Sequence, residues 1–146
     1  MTEVEFHSGV ADKLGFACRL ARRAQRSGAR VVVHGDGETL AALDRLLWVF
    51  DERDFVPHVR FAAHPAPAVV ARTPIWLAAP PWPEGVPPVL VNLGAEVPDD
   101  LAPFARVIEI VGTDPDDHAA GRLRWRTYRA RALPMRHHAA PGRDDG

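Results

Sequence analysis

Arg30-Val31-Val32-Val33-His34 sets an unbroken β-branched run between two stretches of helical spacing, and no other feature narrows the fold as far. A run without alternation is what a strand covered on both faces shows, and such strands belong to parallel sheets. Upstream, over residues 12–27, Leu14, Ala17, Cys18, Ala21 and Ala24 recur at helical intervals, with Arg19, Arg22, Arg23 and Arg26 on the other side. Gly28 ends that amphipathic helix. Downstream, Gly35-Asp36-Gly37 turns the chain into a second helix, residues 38–49, with Leu40, Leu43, Leu47 and Phe50 on one side. Residues 4–7 supply a short first strand before the turn-like Ser8-Gly9. Strand, helix, strand, helix opens an α/β domain with a parallel sheet.

The rest of the chain extends that pattern less clearly. Residues 51–74 are proline-rich and aperiodic, and read as a long ordered connection. Residues 75–78 and 89–93 read as strands, separated by PPWPEGVPP, whose prolines exclude regular structure. A short helix is expected in residues 98–105 and a fifth strand at 107–111. The last helix, residues 116–132, has aspartates at its start and arginines through its later turns, as the helix dipole favours. Beyond Pro134, MRHHAAPGRDDG reads as a frayed or disordered tail, so the expectation is one domain over residues 1–132 and a tail over 133–146.

Composition excludes several classes of function. An apolar fraction of 47% and a charged fraction of 25% are those of a folded globular protein. No apolar run approaches the roughly 18 residues of a membrane span, and MTEVEFHSG lacks the regions of a signal peptide. The single cysteine, Cys18, reads as a small buried thiol, which together with the missing leader gives a cytoplasmic expectation and no membrane partner. A net charge of −1 argues against sequence-independent grip on a nucleic-acid backbone as the main task.

Catalytic chemistry is thinly supplied. Gly35-Asp36-Gly37-Glu38-Thr39-Leu40 is the nearest imitation of a phosphate loop, but it lacks a third glycine and puts two acids where phosphate would sit. Ser8 and Ser27 are the only serines, neither in a nucleophile elbow, and Cys18 has no histidine near it in sequence. A metal site could in principle draw on His58, His64, His137 and His138, which show no ligand spacing. No residue is assigned to catalysis, to a cofactor or to a metal.

The last helix carries more information. Arg122, Arg126 and Arg129 fall at i, i+4 and i+7, with Trp125 beside them and Tyr128 at the margin. Such a face offers guanidinium forks to carboxylates or phosphates next to an aromatic surface. The same residues also fit a solvated arginine face over a core of Trp125 and Tyr128, which composition alone favours. The stripe Arg19, Arg22, Arg23 and Arg26 has no interleaved aromatic and reads as a solvated face.

Several segments together resemble the chi subunit of bacterial DNA polymerase III across about residues 3–132. They are Phe6 with LGFACRLARRAQRSGARVVV, then LDRLLW leading to FVPH, then PVLVNLG with VIEIV, and finally AGRLRWRTYRARA. The resemblance implies a three-layer α/β/α fold with a mainly parallel five-stranded sheet, Rossmann-like without a phosphate loop. It implies a non-catalytic replisome adaptor that forms a heterodimer with the psi subunit, is linked through psi to the clamp loader, and meets DNA only indirectly. It also implies capture of the acidic tail of the single-stranded-DNA-binding protein, which ends in phenylalanine with a free carboxylate. Carried onto this chain, Arg122 matches the arginine that pairs with the tail and Arg126 a neighbouring basic residue, with Arg129 continuing their stripe. Trp125 stands where the family often has tyrosine, Trp48, Phe55 and Pro57 match positions flanking the same pocket, and Val111 matches an apolar pocket position. His118 replaces a lysine of the best-known members, and Leu133-Pro134-Met135 departs from the usual ending. The rival readings are a small nucleotide- or phosphate-binding α/β enzyme and a direct single-stranded nucleic-acid-binding module. The first lacks a glycine-rich loop and the second a basic groove with several stacking aromatics.

Overall fold

In a computed structural model, which describes residues 1–50 and 55–140, the described residues form seven strands and four helices. The order is β1 (Glu3–Val10), α1 (Lys13–Ser27), β2 (Val31–His34), α2 (Gly37–Val49) and β3 (His58–Arg60), then a short 3-10 turn and α3 (Pro67–Ala71). The chain continues through β4 (Ile75–Leu77), β5 (Val89–Asn92), β6 (Arg106–Gly112), α4 (Pro115–Ala130) and β7 (Met135–Ala139). The strands form one sheet in the order β3-β4-β2-β5-β6-β1-β7, with every neighbouring pair parallel.

The β-branched run does what its composition predicts. Val31 and Val33 join the core under α1 and α2, while Val32 joins the core on the opposite face under α4. Ala17, Cys18 and Ala21 of α1 and Leu40, Leu43 and Leu47 of α2 close the first face. Phe6, Trp76, Leu90, Val107 and Tyr128 build the second. The result is a three-layer α/β/α domain. Helix ends follow local chemistry: Asp12 and Asp36 each accept a hydrogen bond from a backbone N–H three residues on, and Gly28 closes α1 at φ 79°.

Two strands exceed the five expected, and both are edges. The connection at 51–74 contains β3 and α3, although residues 51–54 lie outside the described residues. The expected tail contains β7, which pairs with β1 from Val4 opposite Met135 to Ser8 opposite Ala139. Backbone bonds from Val4 N to Pro134 O and from Ala140 N to Ser8 O bracket it. Only Met135 of β7 is partly covered, so the strand is held by its backbone and leaves no apolar pattern to read. Residues 141–146 of that expected tail lie outside the described residues. The short helix expected in 98–105 is instead a turn: Asp100 accepts from Ala102 N and Leu101 O from Phe104 N. Pro103 has no N–H to continue a helix there.

Candidate functional site

The C-terminal ends of parallel strands are where α/β sheets commonly hold ligands, and here a charge pair bridges that region. Lys13, the only lysine, leads α1 and places Nζ 2.9 Å from Asp117 of α4 and 3.2 Å from Leu93 O. Asp117 also accepts from Gly112 N at 2.6 Å, so one carboxylate joins β6, α4 and α1. Burial pushes that carboxyl up, but Gly112 and Lys13 outweigh it and hold it below its ordinary value. At the glycine turn, Asp36 puts its own carboxylate on the start of α2, 2.8 Å from Thr39 N. The position an anion would take is filled by a side chain.

α4 is positioned by a buried polar knot. Glu109 of β6, fully buried, accepts from Arg124 Nε at 2.8 Å, Tyr128 Oη at 2.6 Å and Asn92 Nδ2 at 2.8 Å. All three partners are donors, the arrangement that suits an ionised carboxylate. Burial raises the Glu109 carboxyl above its ordinary value, with Arg124 and the two neutral donors limiting the rise, and burial beside Glu109 drives the Tyr128 hydroxyl far above its ordinary value. Arg124 and Glu109 were not singled out from the sequence. Their signal was a lone acid inside the apolar strand VIEIV, which demands a buried cation.

One turn outward, α4 and the sheet leave a notch of about 200 Å³, lined by Phe6, Ser8, Val111, His118, Gly121, Arg122, Trp125 and His137. Gly121 lets the helix sit directly on Val111 at its floor. Trp125 is half-buried, its ring 5.1 Å edge-on from Phe6 and 6.0 Å from His137. His137 is held in turn by Ser8 Oγ at 2.6 Å. The structure therefore joins Arg122, Trp125 and Val111. Arg126 and Arg129 continue the exposed side of α4 beyond the lining. Tyr128 belongs to the core, as the solvated-face reading had it, while Trp125 is a wall of the notch.

Trp48, Phe55 and Pro57 do not flank that notch. Trp48 lies at the end of α2, on the other face of the sheet, and Phe55 and Pro57 lead into β3, the edge opposite β7. Trp48 and Phe55 stack at 5.3 Å with 60% and 49% of their surfaces exposed. The resemblance grouped them with Arg122, whereas α2 and α4 cover opposite faces and no local pattern reports on the layer. Phe6, Ser8, Gly121 and His137 were missed as lining residues. Of these, only the mid-helix Gly121 left a sequence signal, since such a glycine usually has a packing reason.

Residues 1–136 match the family described as DNA polymerase III chi subunit, HolC. The chain belongs to that family. It is 35% identical to the DNA polymerase III subunit chi of Pseudomonas aeruginosa over 97% of this chain and 99% of the relative. It is 30% identical to the subunit of the same name from Haemophilus influenzae over 77% of each. The chi family is an accessory, non-catalytic part of a replicative polymerase, so the features above belong to a subunit of a DNA-replication complex. Among the described residues no helix of this chi-family chain is long and apolar enough to cross a membrane.

Proposed function

We propose that this chain is a replisome adaptor that holds the acidic C-terminal tail of the single-stranded-DNA-binding protein in the notch between α4 and the sheet. One observation carries the reading: an apolar floor of Val111 and Phe6 and the ring of Trp125 stand beside the exposed guanidinium of Arg122. A cavity of about 150 Å³ takes a benzene ring, and the notch, at about 200 Å³, suits a terminal phenylalanine. Arg122 then meets the terminal carboxylate with a two-pronged hydrogen bond. Arg126 and Arg129 meet the preceding acids as they run along α4.

An adaptor needs a second surface that stays free when the first is filled. The stacked, exposed Trp48–Phe55 pair at the far edge of the sheet is the surface we assign to the psi subunit, since exposed aromatic clusters mark protein interfaces. Psi then carries the link to the clamp loader. Fluorescence anisotropy with a labelled peptide of the host's own tail tests the first half. Saturable binding that an unlabelled copy displaces supports the reading, and no saturation at millimolar protein refutes it.

A further inference from the structure

The edge strand that supplies His137 to the notch carries a different cluster on its other side. β1 and β7 run parallel with His7 opposite His138, and a strand's period of two places Glu5 on the same side as His7. The two imidazoles stack at 4.9 Å. Glu5 Oε2 lies 2.9 Å from His7 Nε2 and 3.4 Å from His138 Nε2, and the three atoms all fall within 4.8 Å of one another. We propose that Glu5, His7 and His138 form a site for a zinc-class divalent cation, which fastens β7 to β1.

The spacing fits the ion. Four-coordinate zinc with bonds of about 2.0 to 2.1 Å sets its ligand atoms roughly 3.3 Å apart, between the two distances that Glu5 makes, and turning the half-exposed His138 ring out of its stack on His7 brings the second imidazole nitrogen to the same ion. Two imidazoles and one carboxylate are a common zinc donor set, with the fourth position left to water. The surroundings are prepared for it as well. Arg106 holds the other oxygen of Glu5 at 2.7 Å, fixing the carboxylate so that Oε2 faces the histidines. Arg23 also faces His7 from α1 and opposes a cation, while the charge of Arg106 is already spent on Glu5. The sequence hid the site because His138 is more than a hundred residues from Glu5 and His7 and sits in what reads as a tail.

Tag-free full-length protein, stripped with chelator, is titrated with Co²⁺ followed by visible absorption, then with Zn²⁺ in competition. The expected result is one equivalent of cobalt with the intense bands of a four-coordinate site, displaced by zinc. His7→Asn and His138→Ala should each weaken binding by at least about tenfold, since losing a ligand costs no less than losing a group that supports one. His137→Ala, one residue away but facing the notch, should leave binding unchanged. His138 is half-exposed on an edge strand, so its variant is expected to fold, with circular dichroism as the check. Absence of the cobalt bands, or equal affinity in His138→Ala, overturns the site.

Discussion

A β-carbon at residue 121 would come within 2.8 Å and 2.9 Å of the two methyl groups of Val111, so the glycine sets how closely α4 rides on β6. In an exposed helix, Gly→Ala gains about 1 kcal/mol. Here the contact reverses the sign, because a stiff β-branched neighbour has no flexible end to move aside. Gly121→Ala is expected to destabilise by about 1 to 3 kcal/mol in urea unfolding and to weaken tail-peptide binding, since Arg122 and Trp125 move with the helix. A stabilised variant with unchanged binding would show that the contact does not shape the notch.

Arg124 and Glu109 sit under the same helix and set its rotation about its axis. Replacing Arg124 with Met leaves a buried carboxylate without its cation, which costs about 3 to 5 kcal/mol. The double variant Arg124→Met, Glu109→Gln should recover a substantial part of that loss. Urea unfolding of the parent and the two variants measures it, and a loss below about 1 kcal/mol in Arg124→Met would contradict a paired Glu109.

Asp117 gives the fold a pH signature. Its carboxyl titrates below the ordinary 3.8 in the folded chain, so its contribution is complete above that value and is lost as pH falls through the lower folded pKa. Asp117→Asn is expected to cost about 2 kcal/mol at neutral pH, by loss of charged hydrogen bonds to Lys13 and Gly112. The gap between variant and parent should close in acid, below the ordinary carboxylate range. A gap that persists unchanged there would assign the loss to packing.

Trp48→Ala separates the two surfaces. Co-expressed with psi, the variant should lose co-purification while tail-peptide affinity stays within about twofold, because sites that share no contacts are energetically independent. Joint loss of both would place Trp48 in the same site as Arg122.

The inner strands and three long helices were legible because each carries its own apolar period or β-branched run, and RVVVH alone implied cover on both faces. The edges were not. β7 is MRHHA, a strand by hydrogen bonding to β1 with almost nothing to bury, and β3 is three residues inside an aperiodic stretch. The same limit governs the site. Arg122 and Trp125 were readable from helical spacing and resemblance, whereas His137 depends on β7 existing at all. Trp48 and Phe55 were grouped with them because motif order says nothing about which layer a helix occupies.

In the proposed complex Arg122 grips the terminal carboxylate of the tail. Charged hydrogen bonds contribute roughly 1.5 to 3 kcal/mol, and each 1.4 kcal/mol is about tenfold. Titration of free-acid and C-terminally amidated tail peptides against the parent chain and Arg122→Ala forms a double-mutant cycle. Amidation alone and Arg122→Ala alone should each weaken binding about ten- to a hundredfold, and amidation should have little further effect in Arg122→Ala, since both remove one interaction. Independent, additive losses would contradict the account and move the carboxylate away from Arg122.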